Sequence, residues 1–222
     1  MSSTNRGAIR READYYPTPQ WCTRALLRAV PGVFDRGIVL DPFAGDGAIL
    51  RVLQEAGAGV RGLELRPECR EDLRAVCGYT GYQIVDSLRM QARPAWTVVT
   101  NPSFSVLRES IEQWTDRPAA FLLRCTYWGG QGAAEFWQQH TPHAELRMPR
   151  RAAFVAVCKG RPSKAGQVRT KGCGLSYPVG TRGVCECGGT IGDGTDSVEY
   201  LWALWNVHVP RPMSVIPLEW CQ

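Results

Sequence analysis

Short apolar runs of strand length alternate with amphipathic segments of helix length from about residue 18 to residue 128. Proline and glycine mark most boundaries, and Thr18 and Pro19 are residue types typical of a helix N-cap and of the first helical position. Helices are predicted over residues 18–30, 48–57, 67–78 and 106–114, and strands over residues 37–47 (ending in a glycine-rich turn), 59–65, 82–88, 96–104 and 118–128. This alternation predicts an α/β protein with a mainly parallel sheet and helices on both faces.

The pattern loosens after residue 130. Three further elements are predicted: a short helix over residues 133–140, an interrupted strand over 144–157 and an apolar, aromatic strand over 197–209. The stretch between the last two is rich in glycine, cysteine and charge. We therefore predict one domain built from residues 1–157 and 191–222, with an insertion at residues 158–190.

Length and composition fit a single domain with an elaboration, since the chain has 222 residues and 44% of them are hydrophobic. No apolar run reaches the roughly 18 residues of a membrane span, and the first residues lack the apolar segment of a signal peptide. We expect a cytoplasmic protein that makes no contact with a membrane. Its nine cysteines would then be buried thiols or metal ligands rather than disulfides.

The excess positive charge is concentrated in the predicted insertion. The chain has a formal net charge of +5. The insertion accounts for all of it, because it contains six basic residues and one acidic residue, Glu186. These basic residues are Lys159, Arg161, Lys164, Arg169, Lys171 and Arg182. Such a patch is typical of a surface that contacts nucleic-acid phosphates, and a solvated loop is the alternative.

Candidate chemical groups follow the ends of the predicted strands, which meet at one edge of a parallel sheet. The turn DPFAGDG, residues 41–47, allows close approach of a ligand, but it lacks the Gly-x-Gly-x-x-Gly pattern of dinucleotide-binding proteins. Glu64 is suited to accept hydrogen bonds from ribose hydroxyls, and Asp86 from an adenine amino group. A loop acid and a turn-capping acid are the alternatives. Together these residues favour a cofactor with adenosine and without pyrophosphate.

The segment NPSF, residues 101–104, combines a polar amide, a fixed backbone carbonyl and an aromatic ring. Alone, it is typical of an ordinary turn with a core phenylalanine. Together with YPTP (16–19), DPFAGDG and Glu64, it resembles the S-adenosylmethionine-dependent amino-methyltransferases, and most of all the DNA N6-adenine methyltransferases of bacteriophages. That family has a Thr-Pro segment before the first strand, a D-P-x-x-G-x-G turn after it and N-P-P-F/Y after the fourth. Residues 195–205 resemble its closing strand.

The resemblance implies a Rossmann-like methyltransferase fold with a mostly parallel seven-stranded sheet, and methyl transfer from S-adenosylmethionine to adenine N6 in duplex DNA. The Asn101 side-chain oxygen and the Pro102 carbonyl would accept the two N6–H groups, and Phe104 would stack on the flipped-out base. The implied catalytic segment is Asn101, Pro102, Ser103 and Phe104. The implied cofactor-binding residues are Tyr16, Pro17, Thr18, Asp41, Pro42, Phe43, Ala44, Gly45, Gly47, Glu64, Leu65, Asp86 and Asn101. The implied role is protection of phage DNA from host restriction, in a bacterial or phage-infected cell.

Four cysteines of the predicted insertion have the spacing C-x14-C-x11-C-x-C: Cys158, Cys173, Cys185 and Cys187. Thiolates suit tetrahedral zinc, and the segment has few large apolar residues from which to form a core without a metal. We predict a structural zinc ion. Free or partly buried thiols are the alternative.

Two other functions stay open. The acceptor could be another planar nitrogen: cytosine N4, guanine N2 in RNA or a protein glutamine amide. The chain could also be a non-catalytic nucleic-acid-binding protein, because Ser103 replaces the second proline of the family motif. Arg150 and Arg151 are further candidates for DNA contact, with exposed surface arginines as the alternative. We expect short or relaxed sequence specificity, and no oligomeric state is predicted.

Overall fold

A computed structural model describes residues 17–35, 37–91, 95–129, 132–148, 151–152, 155–158, 176–178, 182–187, 190–193 and 199–209. In these ranges the α-helices are α1 (Gln20–Ala29), α2 (Ala48–Glu55), α3 (Arg70–Cys77), α4 (Leu107–Trp114) and α5 (Ala133–His140). The strands are β1 (Ile38–Asp41), β2 (Gly59–Glu64), β3 (Tyr82–Ile84), β4 (Thr97–Thr100), β5 (Ala119–Arg124), β6 (Ala144–Arg147), β7 (Val155–Cys158), β8 (Ser176–Pro178), β9 (Gly183–Val184), β10 (Thr190–Asp193) and β11 (Tyr200–Trp205). Single 3-10 turns cover Pro67–Cys69, Ser87–Arg89 and Phe104–Val106.

Seven strands form the main sheet, in the order β3-β2-β1-β4-β5-β11-β6. Strands β1 to β5 pair in parallel. Strand β11 runs antiparallel to both of its neighbours, β5 and β6. The predicted α/β class with a mostly parallel seven-stranded sheet is confirmed.

Helices cover both faces of this sheet, as predicted. Helices α1, α2 and α3 pack on one face, around buried Leu26, Leu50 and Leu73, and α4 and α5 pack on the other, around Trp114 and Trp137. Strands β5 and β11 are continuous apolar runs because neither of their faces is exposed to water. No helix in the described ranges is long and apolar enough to cross a membrane.

The first helix begins later than the sequence predicts. Helix α1 starts at Gln20, Pro19 takes the N-cap position, and no side chain caps the helix. The Thr18 hydroxyl instead accepts a hydrogen bond from the Asn101 side chain at 3.0 Å. The prediction of Thr18 as N-cap is therefore wrong, because a tertiary contact engages its hydroxyl.

A second, four-stranded sheet has the order β8-β7-β10-β9 and is antiparallel throughout. The interrupted strand predicted over 144–157 is two strands, since β6 belongs to the main sheet and β7 to this one. The chain thus leaves the main sheet after β6 and re-enters it at β11. The exact bounds of the predicted insertion, 158–190, stay a prediction, because β7 and β10 each extend beyond them.

Candidate functional site

The carboxyl ends of β1, β2 and β4 bring predicted site residues to one edge of the sheet. Asp41, Glu64 and Thr100 are the last residues of these three strands, and Asn101 follows directly. The Thr100 hydroxyl donates a hydrogen bond to Asp41 Oδ1 at 2.7 Å. Because these residues are far apart in sequence, the order of the strands is what brings them together.

Two glycines shape the turn that follows β1. Gly45 and Gly47 have φ angles of 57° and 78°, in the left-handed region that disfavours side chains. A Cβ atom on Gly47 would also lie 3.3 Å from the Val76 side chain of α3. Gly47 is therefore required both by its backbone conformation and by the close packing of the turn against α3. The other predicted residues of this turn are buried Pro42 and Ala44 and half-buried Phe43.

Glu64 is buried and accepts hydrogen bonds from four donors. Its Oε2 accepts from the Gly45 N–H at 2.7 Å and from Arg66 Nη2 at 3.1 Å. Its Oε1 accepts from the Arg66 backbone N–H at 2.9 Å and from Arg66 Nε at 2.8 Å. Burial opposes ionisation of this carboxyl, but the hydrogen bonds from Arg66 outweigh burial and hold the pKa of Glu64 below its ordinary value. Glu64 thus carries its charge at neutral pH and ties the glycine turn to β2.

The same four donors occupy the lone-pair positions that a carboxylate offers. A ribose hydroxyl could bind Glu64 only by replacing or sharing one of them. The Gly45 N–H belongs to the turn backbone, whereas the Arg66 guanidinium can rotate away on a side chain that is 19% exposed. Ribose binding at Glu64 would therefore require the Arg66 side chain to move.

Asp86 and Leu65 lie at the ends of neighbouring strands. Asp86 Oδ1 accepts from the Leu88 N–H at 3.1 Å, and its Oδ2 lies 3.3 Å from Arg89 Nε, so Asp86 caps a 3-10 turn. Leu65 is 67% exposed, which leaves an apolar surface uncovered beside Glu64. Contact of either residue with an adenine ring stays a prediction.

Asp41, the last residue of β1, is a buried carboxyl that resists ionisation. Its relative exposure is 1%, and burial raises its pKa from 3.8 to about 7, although hydrogen bonds from Thr100 and Phe43 lower it. The charges of Glu64 and Asp46 add to the rise. A cation bound beside Asp41 would lower this pKa, so its binding would release a proton.

The raised pKa of Asp41 predicts how stability depends on pH. Between about pH 4 and pH 7 the unfolded chain ionises Asp41 while the folded protein keeps it protonated, so the free energy of unfolding falls as pH rises and levels off above pH 7. Asp41→Asn does not titrate. The free energy of unfolding of Asp41→Asn minus that of wild type should therefore increase by about 4 kcal/mol from pH 4 to pH 7. Urea denaturation at several pH values measures this difference. Asp72→Asn, at an exposed position of α3, is the matched control. Parallel stability curves for wild type and Asp41→Asn would contradict the prediction.

Asn101 lies in the turn between β4 and the 3-10 turn at Phe104. Its Nδ2 donates to Thr18 Oγ1 at 3.0 Å, which points the amide oxygen, Oδ1, away from Thr18. Pro102 is buried, and Ser103 and Phe104 are half-buried. The amide oxygen is therefore left as an acceptor for another group, at the sheet edge where β1 and β4 end.

The Phe104 ring has a cation stacked on one face. Arg124 Cζ lies 4.1 Å from the ring centroid, and Arg124 Nε lies 3.5 Å from Tyr200 Oη. Such a contact stabilises an aromatic ring at a partly exposed position. A base that stacks on Phe104 must therefore use the opposite ring face or displace Arg124.

Ser103 keeps the backbone conformation of the proline that it replaces in the family motif. Its φ and ψ angles are −60° and 138°, and proline adopts the same values. We expect Ser103→Pro to raise the free energy of unfolding by about 0.4–1 kcal/mol, because it removes conformational freedom from the unfolded chain. Urea denaturation measures the change. Ser105→Ala is the control, since it breaks the same 2.8 Å hydrogen bond between the Ser103 and Ser105 hydroxyls without adding a proline. A Ser103→Pro protein less stable than Ser105→Ala would show that the turn does not fit proline.

Two of the predicted zinc ligands lie close together in the described part of the chain. The Sγ atoms of Cys185 and Cys187 are 3.4 Å apart. The backbone of Cys158 lies in β7, opposite Ile191 of β10, but its side chain and all of Cys173 lie outside the described residues. Within the described residues, no group of three or more His, Cys, Asp or Glu side chains could hold a metal ion. Zinc binding therefore stays a prediction.

Most of the predicted nucleic-acid contacts fall outside the described ranges. Arg151 and Arg182 lie within them and are exposed. Arg150, Lys159, Arg161, Lys164, Arg169 and Lys171 lie outside them, as does Tyr16.

Three contacts of this edge have no signal in the local sequence. They join residues that are distant along the chain, and they only become visible when the strands are aligned in the sheet. The pairs are Thr18 with Asn101, Asp41 with Thr100, and Arg124 with Phe104.

The architecture is that of the Rossmann-like methyltransferases. The chain is similar to the crystal structure of a candidate RNA methyltransferase from Pyrococcus horikoshii, with a TM-score of 0.52 and 14% identity over 91% of this chain and 95% of that one. It also matches a type I restriction-modification methyltransferase subunit from Streptococcus thermophilus, with a TM-score of 0.48 and 12% identity over 89% of this chain and 45% of that one. No protein-family model and no curated protein matches the chain. The predicted Rossmann-like methyltransferase fold is confirmed.

Proposed function

We propose that the protein transfers a methyl group from S-adenosylmethionine to the N6 amine of adenine in DNA. The observation that carries the proposal is the position of Asn101. Its amide nitrogen is bound to Thr18 at 3.0 Å, and it follows β4 at the same edge as Asp41 and Glu64. This arrangement supports binding of an amine that donates hydrogen bonds, beside residues suited to an adenosine cofactor.

The residues at this edge of the sheet suit S-adenosylmethionine. The glycine turn allows close approach of a ligand, Glu64 is an ionised acceptor suited to ribose hydroxyls, and exposed Leu65 offers an apolar surface for a flat ring. The pKa of buried Asp41 is raised, and the positive charge of a methionine ammonium group beside it would favour its ionised form. When bound, the cofactor supplies an electrophilic methyl group.

The residues after β4 would act on the acceptor amine. The N6 lone pair of adenine is delocalised into the ring, so the amine is a weak nucleophile. Asn101 Oδ1 and the Pro102 carbonyl would each accept one N6–H, which favours a tetrahedral nitrogen with its lone pair available. The amine would bond to the methyl group as the methyl–sulfur bond of the donor breaks, the donor would leave as a neutral thioether, and the amine would release one proton to water. No covalent intermediate with the protein is needed, so these residues would mainly orient the reacting groups and stabilise charge.

The base must leave the duplex to reach this edge, because N6 is otherwise paired within the helix. Phe104, half-buried and stacked by Arg124, would hold the flipped base. The basic insertion and Arg150–Arg151 would contact DNA phosphates, which supply most of the affinity for nucleic acid. We propose that a zinc ion holds the insertion together. Two thiolates on one zinc are roughly 3.8 Å apart at ordinary Zn–S distances, and the Cys185 and Cys187 Sγ atoms are 3.4 Å apart.

RNA is the second candidate substrate. The similar structure from Pyrococcus horikoshii is that of a candidate RNA methyltransferase, and a basic insertion suits either nucleic acid. The N–P–x–F arrangement also suits cytosine N4, guanine N2 or a glutamine amide. The conformation of Ser103 weighs against a non-catalytic role, since the turn keeps its shape without a second proline.

The proposal is tested by transfer of tritiated methyl groups from S-adenosylmethionine to unmethylated duplex DNA, single-stranded DNA, RNA and a protein extract, followed by nucleoside and amino-acid analysis. We expect label in N6-methyladenine of DNA. Label confined to RNA, to another nucleoside or to glutamine would show that adenine in DNA is not the acceptor, while the methyl-transfer activity itself would stand. Absence of label from protein that binds the cofactor in calorimetry would favour the non-catalytic role.

A further inference from the structure

We propose that Thr18 is a positioning residue that sets the orientation of the Asn101 amide, so that the site presents two hydrogen-bond acceptors and selects an amine. The inference deepens the proposed function and rests on it. It assigns Thr18 a role towards the acceptor base, in addition to the cofactor contact that the sequence resemblance implies.

Thr18 is held in place by its neighbours in the chain. It lies between Pro17 and Pro19, and a residue that precedes proline is restricted to extended conformations. Pro19 is the N-cap residue of α1, and its carbonyl accepts from the Cys22 N–H at 2.9 Å. The Cys22 carbonyl in turn accepts from Trp202 Nε1 of β11 at 2.9 Å. Because Trp202 is completely buried, these hydrogen bonds anchor the segment that carries Thr18 to the core of the main sheet.

The contact with Asn101 has consequences for recognition because an amide has two unlike ends. Its nitrogen donates hydrogen bonds and its oxygen accepts them. With Nδ2 on Thr18 Oγ1 at 3.0 Å, the acceptor end is turned away from Thr18, and an amine substrate would need that end to accept its proton. If the amide were rotated by half a turn, a donor would face the substrate, and a carbonyl or ring nitrogen would be favoured over an amine.

Burial makes this orientation costly to change. Thr18 has a relative exposure of 6%, so water has little access to the hydroxyl. If valine replaced Thr18, the half-buried Asn101 nitrogen would face a methyl group in place of its acceptor, and the preference for this orientation would be lost. The amide would then sample both orientations, and only one of them can accept the amine proton.

Thr18→Val removes the hydroxyl with little change in side-chain shape. We expect kcat for methyl transfer, measured at saturating S-adenosylmethionine, to fall by about tenfold to a hundredfold, as for a misplaced catalytic group. A change in the Kd of the cofactor would report the separate cofactor contact that the resemblance implies. Thr18→Ser keeps the hydroxyl and should recover most of the loss. Thr23→Val is the matched control. Its hydroxyl is fully buried on α1 and has no hydrogen-bond partner in the described structure, so kcat should stay at the wild-type value.

A double-mutant cycle separates orientation from general damage. A carboxylate offers acceptors at both ends, so Asn101→Asp removes the need to orient an amide. The cost of Thr18→Val in kcat should therefore shrink to less than about threefold in the Asn101→Asp background, a strong non-additivity for residues in contact. Equal costs in both backgrounds would overturn the inference.

A spectroscopic measurement tests the contact without turnover. The side-chain NH₂ signals of Asn101 can be assigned in a ¹⁵N–¹H spectrum by their absence from Asn101→Asp. We expect them to shift in Thr18→Val and to stay close to their wild-type positions in Thr18→Ser and Thr23→Val. Unchanged signals in Thr18→Val would overturn the inference whether or not the protein methylates DNA.

Two kinetic results would separate this inference from the proposed function. If Thr18→Val weakens cofactor binding and leaves kcat unchanged at saturating cofactor, then Thr18 acts only on the cofactor and the positioning role is wrong. If the wild-type protein transfers no methyl group to any acceptor, then the proposed function fails, and the selection of an amine fails with it. The spectrum still shows which residue orients the amide.

Discussion

Asn101→Ala should reduce kcat for methyl transfer to adenine by at least about a hundredfold, the usual cost of removing one group that stabilises developing charge. The substitution deletes the amide oxygen that would accept one amine proton, and it leaves the Thr18 hydroxyl without its partner at 3.0 Å. The glycine turn and Glu64 stay in place. The Kd of S-adenosylmethionine, measured by calorimetry, should therefore change much less than kcat.

The control for Asn101→Ala is Gln54→Ala. Gln54 also donates a side-chain amide hydrogen bond, to the Val76 carbonyl at 2.8 Å, but it lies near the end of α2, remote in the chain from the turn after β4. Its loss should leave kcat unchanged. If Asn101→Ala kept more than about a tenth of wild-type kcat, Asn101 would not be the main acceptor for the amine.

Glu64→Gln should weaken binding of S-adenosylmethionine by about tenfold to a hundredfold, because hydrogen bonds to a charged group contribute about 1.5–3 kcal/mol. Ribose hydroxyls would take the place of the Arg66 guanidinium on this carboxylate. Glutamine has one acceptor oxygen where the carboxylate has two, so it cannot accept from the Gly45 N–H and from two ribose hydroxyls together. The substitution also leaves the part-buried Arg66 guanidinium without its counter-charge. The effect should appear in the Kd of the cofactor, with kcat at saturating cofactor much less affected.

Glu55→Gln is the matched control for Glu64→Gln. Glu55 also pairs with an arginine, Arg24, at 3.1 Å, but the two side chains are 53% and 40% exposed. Exposed ion pairs contribute little, so the Kd of the cofactor should stay at the wild-type value. Equal Kd values for Glu64→Gln and wild type would remove Glu64 from the cofactor site.

Much of the fold could be predicted because its rules are local. Strands β5 and β11 are continuous apolar runs, as strands buried on both faces must be. The turn after β1 needs residues that tolerate positive φ, and Gly45 and Gly47 are visible in the sequence. The start of α1 was predicted wrongly, because a threonine before a proline looks the same whether its hydroxyl caps a helix or binds Asn101.

The sequence predicted where the candidate site residues lie in the fold better than it predicted their hydrogen-bond partners. Placing Glu64 at the end of β2 and Asn101 at the end of β4 followed from strand and turn patterns. The four donors on Glu64 did not, because Gly45 reaches it only through the pairing of β1 with β2. Likewise, no sequence pattern shows that Arg124 covers one face of Phe104.

The sequence by itself determined the class of fold, the order of its elements and the edge of the sheet where the candidate site residues lie. These follow from the periodicity of apolar residues and from glycine and proline, which act on neighbouring residues. Tertiary structure alone decided that Asp41 resists ionisation, that the Gly45 N–H donates to Glu64, and that the Asn101 amide nitrogen donates to Thr18. Each of these depends on burial or on partners distant in the chain, and such contacts exist only when the strands are assembled in one sheet.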